Sequence, residues 1–445
     1  MSKFLGNFLQ LKYFLKAFFY LPISYTKHVI LGRDPYLRQL ILSRWGILPK
    51  ELLRIIQKNK SIIWIDTLAL GEVNQIYSFS KLLKRSFEDV IILVTTNNFH
   101  SFQQLNKFDS VDYVLDSPWD ISFIVRKVLT LLKPKALVFI ENVYFPKLVK
   151  EAYKKKIPVF LLSGFFPSGW NKNPFYTRSF QQEFFTYVNK ICVKSTGDAK
   201  NFEQLGVDKN KIHVLGDLKY DFEYLLAPVK YKYQLKETLH FHSKKILLAM
   251  NVHAYEIEFI LQSFKKVLEA NHDMKFILAP YHVGLAPKII NFCHEMGLRC
   301  VLKTNISKDA SSADIVILNT YGELYQFYCI SDAAFIGGSL PFNNNELAGW
   351  KGLCHSIVEP VVNHIPLFFG SNISYRKSHL NLLLNVWSGF QVRSPHEFSK
   401  NMDIFFKDPD IKKRLLETYE ALLKNHQDIP ENYVRFLKMN MTVGI

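Results

Sequence analysis

The stretch that decides the fold is SIIWIDTLALGEVNQIYSFSKLLKRSFEDVIILVTT, residues 61–96. It contains two short apolar runs, SIIWI and DVIILVTT, which are separated by a longer amphipathic segment that ends near Lys84. Apolar runs of this length, rich in Ile and Val and flanking a helical pattern, indicate parallel strands joined by a crossover helix. The stretch therefore predicts a βαβ unit whose sheet is covered on both faces.

The same rhythm continues along most of the chain. The runs VDYVL, ALVFIE, IPVFLLS, KICVKS and KIHVLGD follow, and after a Lys- and Tyr-rich connector at 222–236 it restarts with KKILLAMNV, KFILAPY, ADIVILN, AAFIGGS and IPLFFG. Strands and helices in this alternation predict two doubly wound, Rossmann-like α/β domains, residues 41–225 and 237–445. The segment DIKKRLLETYEALLKNH, residues 410–426, is predicted to pack back across the domains.

Ligands of such sheets bind beyond the carboxyl ends of the strands, so a cleft between two facing domains is the expected site. Several polar residues and one glycine-rich turn stand at predicted strand ends: Glu72, Glu141, Lys219, His253, Tyr281 with His282, the turn Gly337-Gly338-Ser339, and Glu359.

Composition and charge agree with a folded protein that meets an acidic surface. The chain has 445 residues, 48% of them hydrophobic, and a net charge of +17. Residues 1–60 contain 11 Lys or Arg against 2 Asp or Glu, which gives +9 of that excess. Within residues 1–40, Phe and Leu recur at helical spacing with lysines between them, which is typical of a helix in a membrane interface. A helix packed on its own domain is the alternative.

Other classes of protein are disfavoured. The basic excess stands beside an aromatic amphipathic segment, an arrangement that fits an anionic lipid surface better than a nucleic acid. The five cysteines lack CxxC spacing and predict reduced core thiols, and the fourteen histidines form no HExxH pattern or Cys/His cluster. No P-loop, GxGxxG or DxD motif occurs at a strand end, so no metal or dinucleotide cofactor is expected.

Three motifs of the second half carry chemistry. FIGGSL brings two glycines after a strand, where backbone amides approach an anion, although such turns are often structural. TYGELYQFY places Gly322 and Glu323 at a helix start, where amides favour a phosphate and an acid also suits the helix dipole. HSIVEPVV puts Glu359 in an apolar run, where ribose hydroxyls are good partners for a carboxylate.

Taken in order, these motifs resemble one family. LALGEV is similar to an SVGE segment, KIPVFLLSG and LGDLKYD to KIPxxxxNAR and GxLKFD, and PYH to PRH. NTYGELYQFYCISDAAFIGGSL is similar to DTxGEL…ADxAFxGGSL, and CHSIVEPVVNHIPLFFG to GHNxLEP…xxPVxxGP. The family is that of the 3-deoxy-D-manno-octulosonic acid (Kdo) transferases of lipopolysaccharide synthesis, and the match spans about residues 44–384.

The resemblance implies a GT-B glycosyltransferase, two Rossmann-like domains facing across a cleft. It implies inverting, metal-independent transfer of Kdo from CMP-Kdo to a lipid A precursor, by a peripheral or monotopic enzyme on the cytoplasmic face of the bacterial inner membrane. The role of general base falls to Glu72, and Gly71 and Glu141 are expected on the acceptor side. Donor-binding roles are expected for Lys219, His253, Tyr281, His282, Gly322, Glu323, Gly337, Gly338, Ser339, His355, Ser356 and Glu359.

The chain departs from the family pattern at several positions. Tyr281 and Phe165 stand where the family has arginines, Ser356 replaces an asparagine, and Ala254 replaces an acid, although His253 and Glu256 remain. Arginine is the usual partner of carboxylates and phosphates. Two alternatives therefore stay open: a related transferase with another donor or acceptor, and a non-catalytic relative that binds lipid A or a nucleotide. The number of Kdo units added and the oligomeric state are not readable from the sequence.

Overall fold

The structure is a computed structural model. It describes residues 41–57, 60–67, 70–142, 145–165, 184–220, 230–239, 241, 245–270, 273–306, 312–341, 354–373 and 377–441. The predicted membrane segment, residues 1–40, lies outside these ranges. The described part of the chain has no helix that is both long and apolar enough to cross a membrane.

The first compact unit is built on a seven-stranded parallel sheet of order β3-β2-β1-β4-β5-β6-β7. Its strands are β1 (Ser61–Asp66), β2 (Val90–Thr96), β3 (Tyr113–Asp116), β4 (Ala136–Ile140), β5 (Val159–Gly164), β6 (Lys190–Val193) and β7 (Ile212–Val214). The described helices of this part are α1 (Lys50–Ile56), α2 (Leu70–Val73), α3 (Tyr77–Ser86), α4 (Phe99–Leu105), α5 (Ser122–Leu132), α6 (Pro146–Lys154) and α7 (Thr196–Gln204).

The central strands are apolar along their whole length because both faces of the sheet are covered. Strand β1 pairs in parallel with β2, with Ile63 opposite Ile92, and with β4, with Ile63 opposite Ala136. Trp64 and Phe139 are fully buried in the same core. The predicted βαβ unit of residues 61–96 is thus confirmed.

The second unit has a six-stranded parallel sheet of order β10-β11-β9-β8-β12-β13. Its strands are β8 (Lys245–Val252), β9 (Met274–Pro280), β10 (Cys300–Leu302), β11 (Ile315–Ile317), β12 (Ala333–Ile336) and β13 (Leu367–Phe368). The described helices are α8 (Lys230–Leu239), α9 (Ile257–Ala270), α10 (Ala286–Glu295), α11 (Leu324–Phe327), α12 (Val358–Val362), α13 (Lys377–Val386), α14 (Pro395–Lys407) and α15 (Pro409–Lys424).

The last helix, α16 (Ile429–Met441), belongs to the first unit. That unit combines the chain up to Asp221 with the segment from Asp428, and the second unit begins at Phe222 and ends at Gln427. The prediction that residues 410–426 pack back across the domains is wrong. Helix α15 is held in the second unit, because Tyr419 is fully buried there and its hydroxyl donates to Ile365 O at 3.0 Å.

Candidate active site

Each sheet has a switch point, where the strand order reverses and a crevice opens at the carboxyl ends of the strands. In the first unit this point lies between β1 and β4, and in the second unit between β8 and β12. Glu72 follows β1, Glu141 follows β4, His253 follows β8 and Gly337 follows β12. The sequence-predicted residues therefore fall at both switch points.

At the first switch point Glu72 lies in the short helix α2, directly after Gly71. Its side chain is buried, and Thr67 Oγ1 donates a hydrogen bond of 2.8 Å to Glu72 Oε2. Burying a carboxylate is costly unless hydrogen bonds offset the loss of water. Glu72 is therefore held in place by the chain, which differs from a solvated first-turn acid.

Asp66 ends β1 beside this carboxylate. Its Oδ2 accepts from Thr95 Oγ1 and, at 2.8 Å, from Ser117 Oγ. Burial raises the pKa of Asp66 to about 7; the two hydroxyl donors oppose this rise, whereas the charges of Glu72 and Asp116 add to it. The end of β1 thus carries two acidic groups that influence each other.

Glu141 is the centre of a charged network on the other side of the switch point. Its Oε1 lies 2.6 Å from the Nζ atoms of both Lys194 and Lys219 and accepts from Gln75 Nε2 at 2.9 Å. Burial opposes ionisation, but the charges of Lys219 and Lys194 outweigh it and bring the pKa of Glu141 well below its usual range. Lys219, expected among the donor-binding residues, therefore lies beside Glu141, which was expected on the acceptor side.

The second switch point gathers four predicted residues in one cluster of rings, in which His253 stacks on both Tyr281 and His355. The Nε2 atoms of His253 and His355 are 2.8 Å apart, so one ring donates to the other. Tyr281 lies 4.7 Å from the His253 ring centroid, 4.9 Å from that of His355 and 4.6 Å from that of His282. Burial and the charge of His282 lower the pKa of His253. The cluster presents imidazole donors and aromatic faces, which suit an anionic group and a nucleobase.

The prediction that the amides of the Gly337-Gly338-Ser339 turn bind a phosphate is wrong. Gly337 N donates to Met250 O at 2.8 Å, and Gly338 N donates to Glu256 Oε2 at 2.8 Å. Leu340 N also donates to Glu256, and the buried Ser339 Oγ bonds to Ile336 O and Gly370 N. The turn is an anion cradle, but an internal carboxylate occupies it.

Glycine is still required in this turn. A Cβ at Gly337 would come within 2.0 Å of Asn251 O, so the backbones of the two neighbouring turns approach too closely for a side chain. Burial raises the pKa of Glu256 to about 7, against the effect of its backbone donors. Gly337, Gly338 and Ser339 therefore support the switch point rather than contact a ligand through their amides.

Gly322 and Glu323 stand at a helix start, as predicted. Gly322 has φ +77°, a left-handed conformation that favours glycine, and Glu323 caps the four-residue helix α11. Glu323 accepts from Lys303 Nζ at 2.8 Å and from Thr320 Oγ1. Its carboxylate is thus tied to its own surroundings.

Glu359 retains capacity to bind a ligand. It lies in α12, and among the described residues its buried Oε2 has no hydrogen-bond partner. An orphaned buried carboxylate oxygen calls for a donor. Ser356 Oγ, three residues earlier, accepts from Val358 N at 3.3 Å and so helps to form the start of α12.

Sequence reasoning missed Asp66, Thr67, Gln75 and Lys194. Gln75 is fully buried, and its Oε1 has no partner within the described ranges. The polar pair Asp66-Thr67 directly after the apolar run SIIWI was the available signal, since polar residues at strand ends mark a site. Over the same ranges, no group of three His, Cys, Asp or Glu side chains has a geometry that could hold a metal ion.

Comparison with solved structures identifies the fold class of this chain. A UDP-GlcNAc 2-epimerase from Neisseria meningitidis matches with a TM-score of 0.60 at 12% identity, covering 85% of this chain and 100% of that chain. A glycosyltransferase from Rickettsia africae ESF-5 matches with a TM-score of 0.56 at 12% identity, covering 87% and 99%. Two units of this type define the GT-B fold of glycosyltransferases and related nucleotide-sugar enzymes.

Sequence comparisons point to one family within this class. The family model described as 3-Deoxy-D-manno-octulosonic-acid transferase (kdotransferase) matches residues 41–222. The 3-deoxy-D-manno-octulosonic acid transferase of Rickettsia bellii (strain RML369-C) is 25% identical, over 98% of this chain and 97% of that protein. That of Aquifex aeolicus (strain VF5) is 24% identical, over 84% and 97%. Residues 41–222 of this chain thus resemble a Kdo transferase domain, and most of the chain is similar to the Kdo transferases of these two bacteria.

Proposed function

We propose that this protein is an inverting, metal-independent glycosyltransferase that moves Kdo from CMP-Kdo to a lipid A precursor in lipopolysaccharide biosynthesis. The observation that carries the proposal is Glu72, a buried carboxylate at the first switch point in the family's SVGE-like segment. Similarity to the Kdo transferases supports the reaction class.

In the proposed reaction Glu72 removes the proton from an acceptor hydroxyl as its oxygen attacks the anomeric carbon of Kdo. The new glycosidic bond forms as the bond from that carbon to the phosphate oxygen breaks, and CMP leaves with the electron pair. Attack from the face opposite the leaving group inverts the configuration. A carboxylate held by Thr67 at 2.8 Å needs little reorganisation for this role.

The leaving phosphate needs side-chain donors, because the amides of Gly337, Gly338 and Leu340 serve Met250 and Glu256. A protonated ring nitrogen of the His253–His355 pair, whose Nε2 atoms share one hydrogen bond, suits that purpose. The orphaned Oε2 of Glu359 suits a ribose hydroxyl of the cytidine. In this proposal side chains, and not the backbone amides of the turn after β12, bind the phosphate and the ribose of the donor.

The proposed setting is the cytoplasmic face of the inner membrane, with peripheral or monotopic attachment. Helices α5 and α6 support it, because their outer surface combines exposed apolar and basic side chains. We call this the basic face; it comprises Phe123, Leu131, Tyr153, Arg126, Lys127, Lys154, Lys155 and Lys156. Its acid, Glu151, is buried and paired with Arg126 and Lys154. An anionic lipid surface complements such a face.

A transferase with another donor or acceptor remains the second candidate, and a specific observation favours it. Tyr281 and Phe165 stand where the family has arginines, and Tyr281 is stacked on His253 as a neutral ring. Lys194 Nζ lies 5.3 Å from the Phe165 ring centroid, so a cation is still present there, but it is shared with Glu141.

The test is mass spectrometry of the full chain incubated with freshly generated CMP-Kdo and a tetra-acylated lipid A precursor. We expect a product heavier by one or more Kdo units, and a loss of at least about 100-fold in rate for Glu72→Gln. Glu295→Gln, an exposed carboxylate at the end of α10, is the matched control and should retain full rate. No product from a folded wild-type chain that binds CMP would favour the second candidate, and a folded chain that binds no CMP would contradict the use of CMP-Kdo as donor.

A further inference from the structure

The hydrogen bond between Thr67 and Glu72 joins two side chains that have almost no contact with solvent. Thr67 is 1% exposed and Glu72 5% exposed, and the donor and acceptor atoms are 2.8 Å apart. A hydroxyl that donates to a carboxylate makes a charge-assisted bond, which is stronger than a bond between neutral groups. In a buried setting such a bond also fixes geometry, because neither partner can turn to water instead.

The backbone of Thr67 is fixed by hydrogen bonding to strand β2. Its backbone N–H donates to Thr95 O at 2.9 Å, which extends the β1–β2 ladder by one residue beyond Asp66. Thr95 Oγ1 in turn donates to Asp66 and accepts from Trp64 Nε1 at 2.8 Å. The position of the Thr67 hydroxyl is therefore set by the hydrogen bonding of the sheet.

Helix α2, which carries Glu72, is only four residues long. A helix of one turn has little stability of its own, so its side chains need anchoring contacts to keep one orientation. Gln75, one turn after Glu72, provides one such contact by donating to Glu141 at 2.9 Å. Thr67 provides the contact at the carboxylate of Glu72 itself.

We propose that Thr67 is the positioning residue of the transfer reaction: its hydroxyl holds Glu72 Oε2 and thereby fixes the carboxylate plane in the orientation that accepts the proton. This role rests on the proposed function of Glu72 as general base. Thr67 does not contact the reacting atoms, and it acts only through Glu72. Its contribution should therefore appear in kcat and not in the binding of CMP-Kdo.

The experiment compares Thr67→Val with Thr67→Ser in the same mass-spectrometric rate assay. Valine keeps the shape of threonine and removes the hydroxyl, whereas serine restores the hydroxyl. We expect Thr67→Val to lower kcat by about 10- to 100-fold, the effect of losing one charge-assisted hydrogen bond, with KM for CMP-Kdo unchanged. We expect Thr67→Ser to recover to within about 5-fold of wild type.

Thr418→Val is the matched control, since Thr418 Oγ1 donates to Arg414 O on the exposed side of α15. It should leave kcat unchanged. A wild-type kcat in Thr67→Val, or a Thr67→Ser variant as slow as Thr67→Val with the same loss of thermal stability, would show a merely structural role and overturn the proposal. If the wild-type chain transfers no sugar, the base assignment fails first and the role of Thr67 fails with it.

Discussion

At the scale of the residue, the site depends on how each buried carboxylate is neutralised. Glu141 and Asp217 have lowered pKa values, because the charges of Lys194 and Lys219 outweigh the effect of burial. Asp66 and Glu256 are also buried but have only neutral donors, and burial raises the pKa of each to about 7. Neutral hydrogen-bond donors therefore do not fully offset the free-energy cost of ionising a buried carboxyl, whereas lysine partners do.

This difference predicts a pH dependence of stability. A carboxyl whose pKa is higher in the folded state than in the unfolded state binds its proton more tightly when folded. Its stabilising effect is present at low pH and is lost as the pH rises through about 7. We expect Asp66→Asn to flatten the fall of the unfolding free energy between about pH 4 and 7, a slope of up to about 1.4 kcal/mol per pH unit for one proton.

Chemical denaturation of the full chain at a series of pH values measures this slope. Asp403→Asn, an exposed carboxylate that pairs with Lys407, is the control and should leave the slope unchanged. An equally steep slope in Asp66→Asn would mean that other groups bind the proton. Below about pH 4 the unfolding free energy should instead fall as the pH is lowered. Glu141 and Asp217 have lowered pKa values, and they lose their stabilising ion pairs when they are protonated.

At the scale of the element, the sequence predicted the strands well and the turns poorly. The runs SIIWI, DVIILVTT and ALVFIE became buried parallel strands because apolar period and length determine such strands locally. The turn after β12 was misassigned, because a Gly-Gly pair has the same local signature whether its amides face a phosphate or a carboxylate 82 residues away in the chain. The residues around the turn give no indication of a contact between residues so far apart in the sequence.

The basic face of α5 and α6 leads to a prediction at this scale. Replacing three exposed lysines of that face, by Lys127→Gln, Lys155→Gln and Lys156→Gln together, should weaken binding of the full chain to vesicles that contain phosphatidylglycerol. Each lysine near an anionic surface contributes about 1 kcal/mol, so the partition coefficient should fall by roughly 100-fold. Vesicle flotation at constant ionic strength measures it.

The matched control replaces three exposed lysines of the second unit, Lys266, Lys412 and Lys413, by Gln. It changes the net charge equally and should leave vesicle binding nearly intact. Equal losses in the two triple variants would indicate a general effect of net charge. Binding that is lost only on deleting residues 1–40 would locate attachment in that segment instead.

At the scale of the whole molecule, the chain returns to its first unit after completing the second. Helix α16 packs there, and the fully buried Tyr433 bonds with strand β5 and with the segment that follows β7 in the first unit. Its hydroxyl donates to Gly216 O at 2.7 Å and accepts from Ser163 N at 3.1 Å. The helix is amphipathic in sequence, but nothing local indicates which domain it joins, so the sequence did not predict this return.

The return of the chain supports the charged network around Glu141. Ser163 Oγ donates to Asp217 Oδ1 at 3.1 Å, and Asp217 lies 3.4 Å from Lys194, which pairs with Glu141. Tyr433→Phe removes one hydroxyl and leaves the Ser163 N–H and the Gly216 carbonyl without that partner. We expect a loss of about 1–3 kcal/mol in the unfolding free energy of the full chain.

The same variant should slow sugar transfer several-fold and leave CMP affinity unchanged, because the two hydrogen bonds described for Tyr433 both lie in the first unit. Chemical denaturation, the transfer assay and calorimetric CMP titration separate the three effects. Tyr233→Phe is the matched control, because Tyr233 lies on α8 and is 75% exposed. It should change neither stability, nor transfer rate, nor CMP affinity. If Tyr433→Phe lowered CMP affinity as much as transfer, support of the network around Glu141 would not be enough to explain the role of Tyr433.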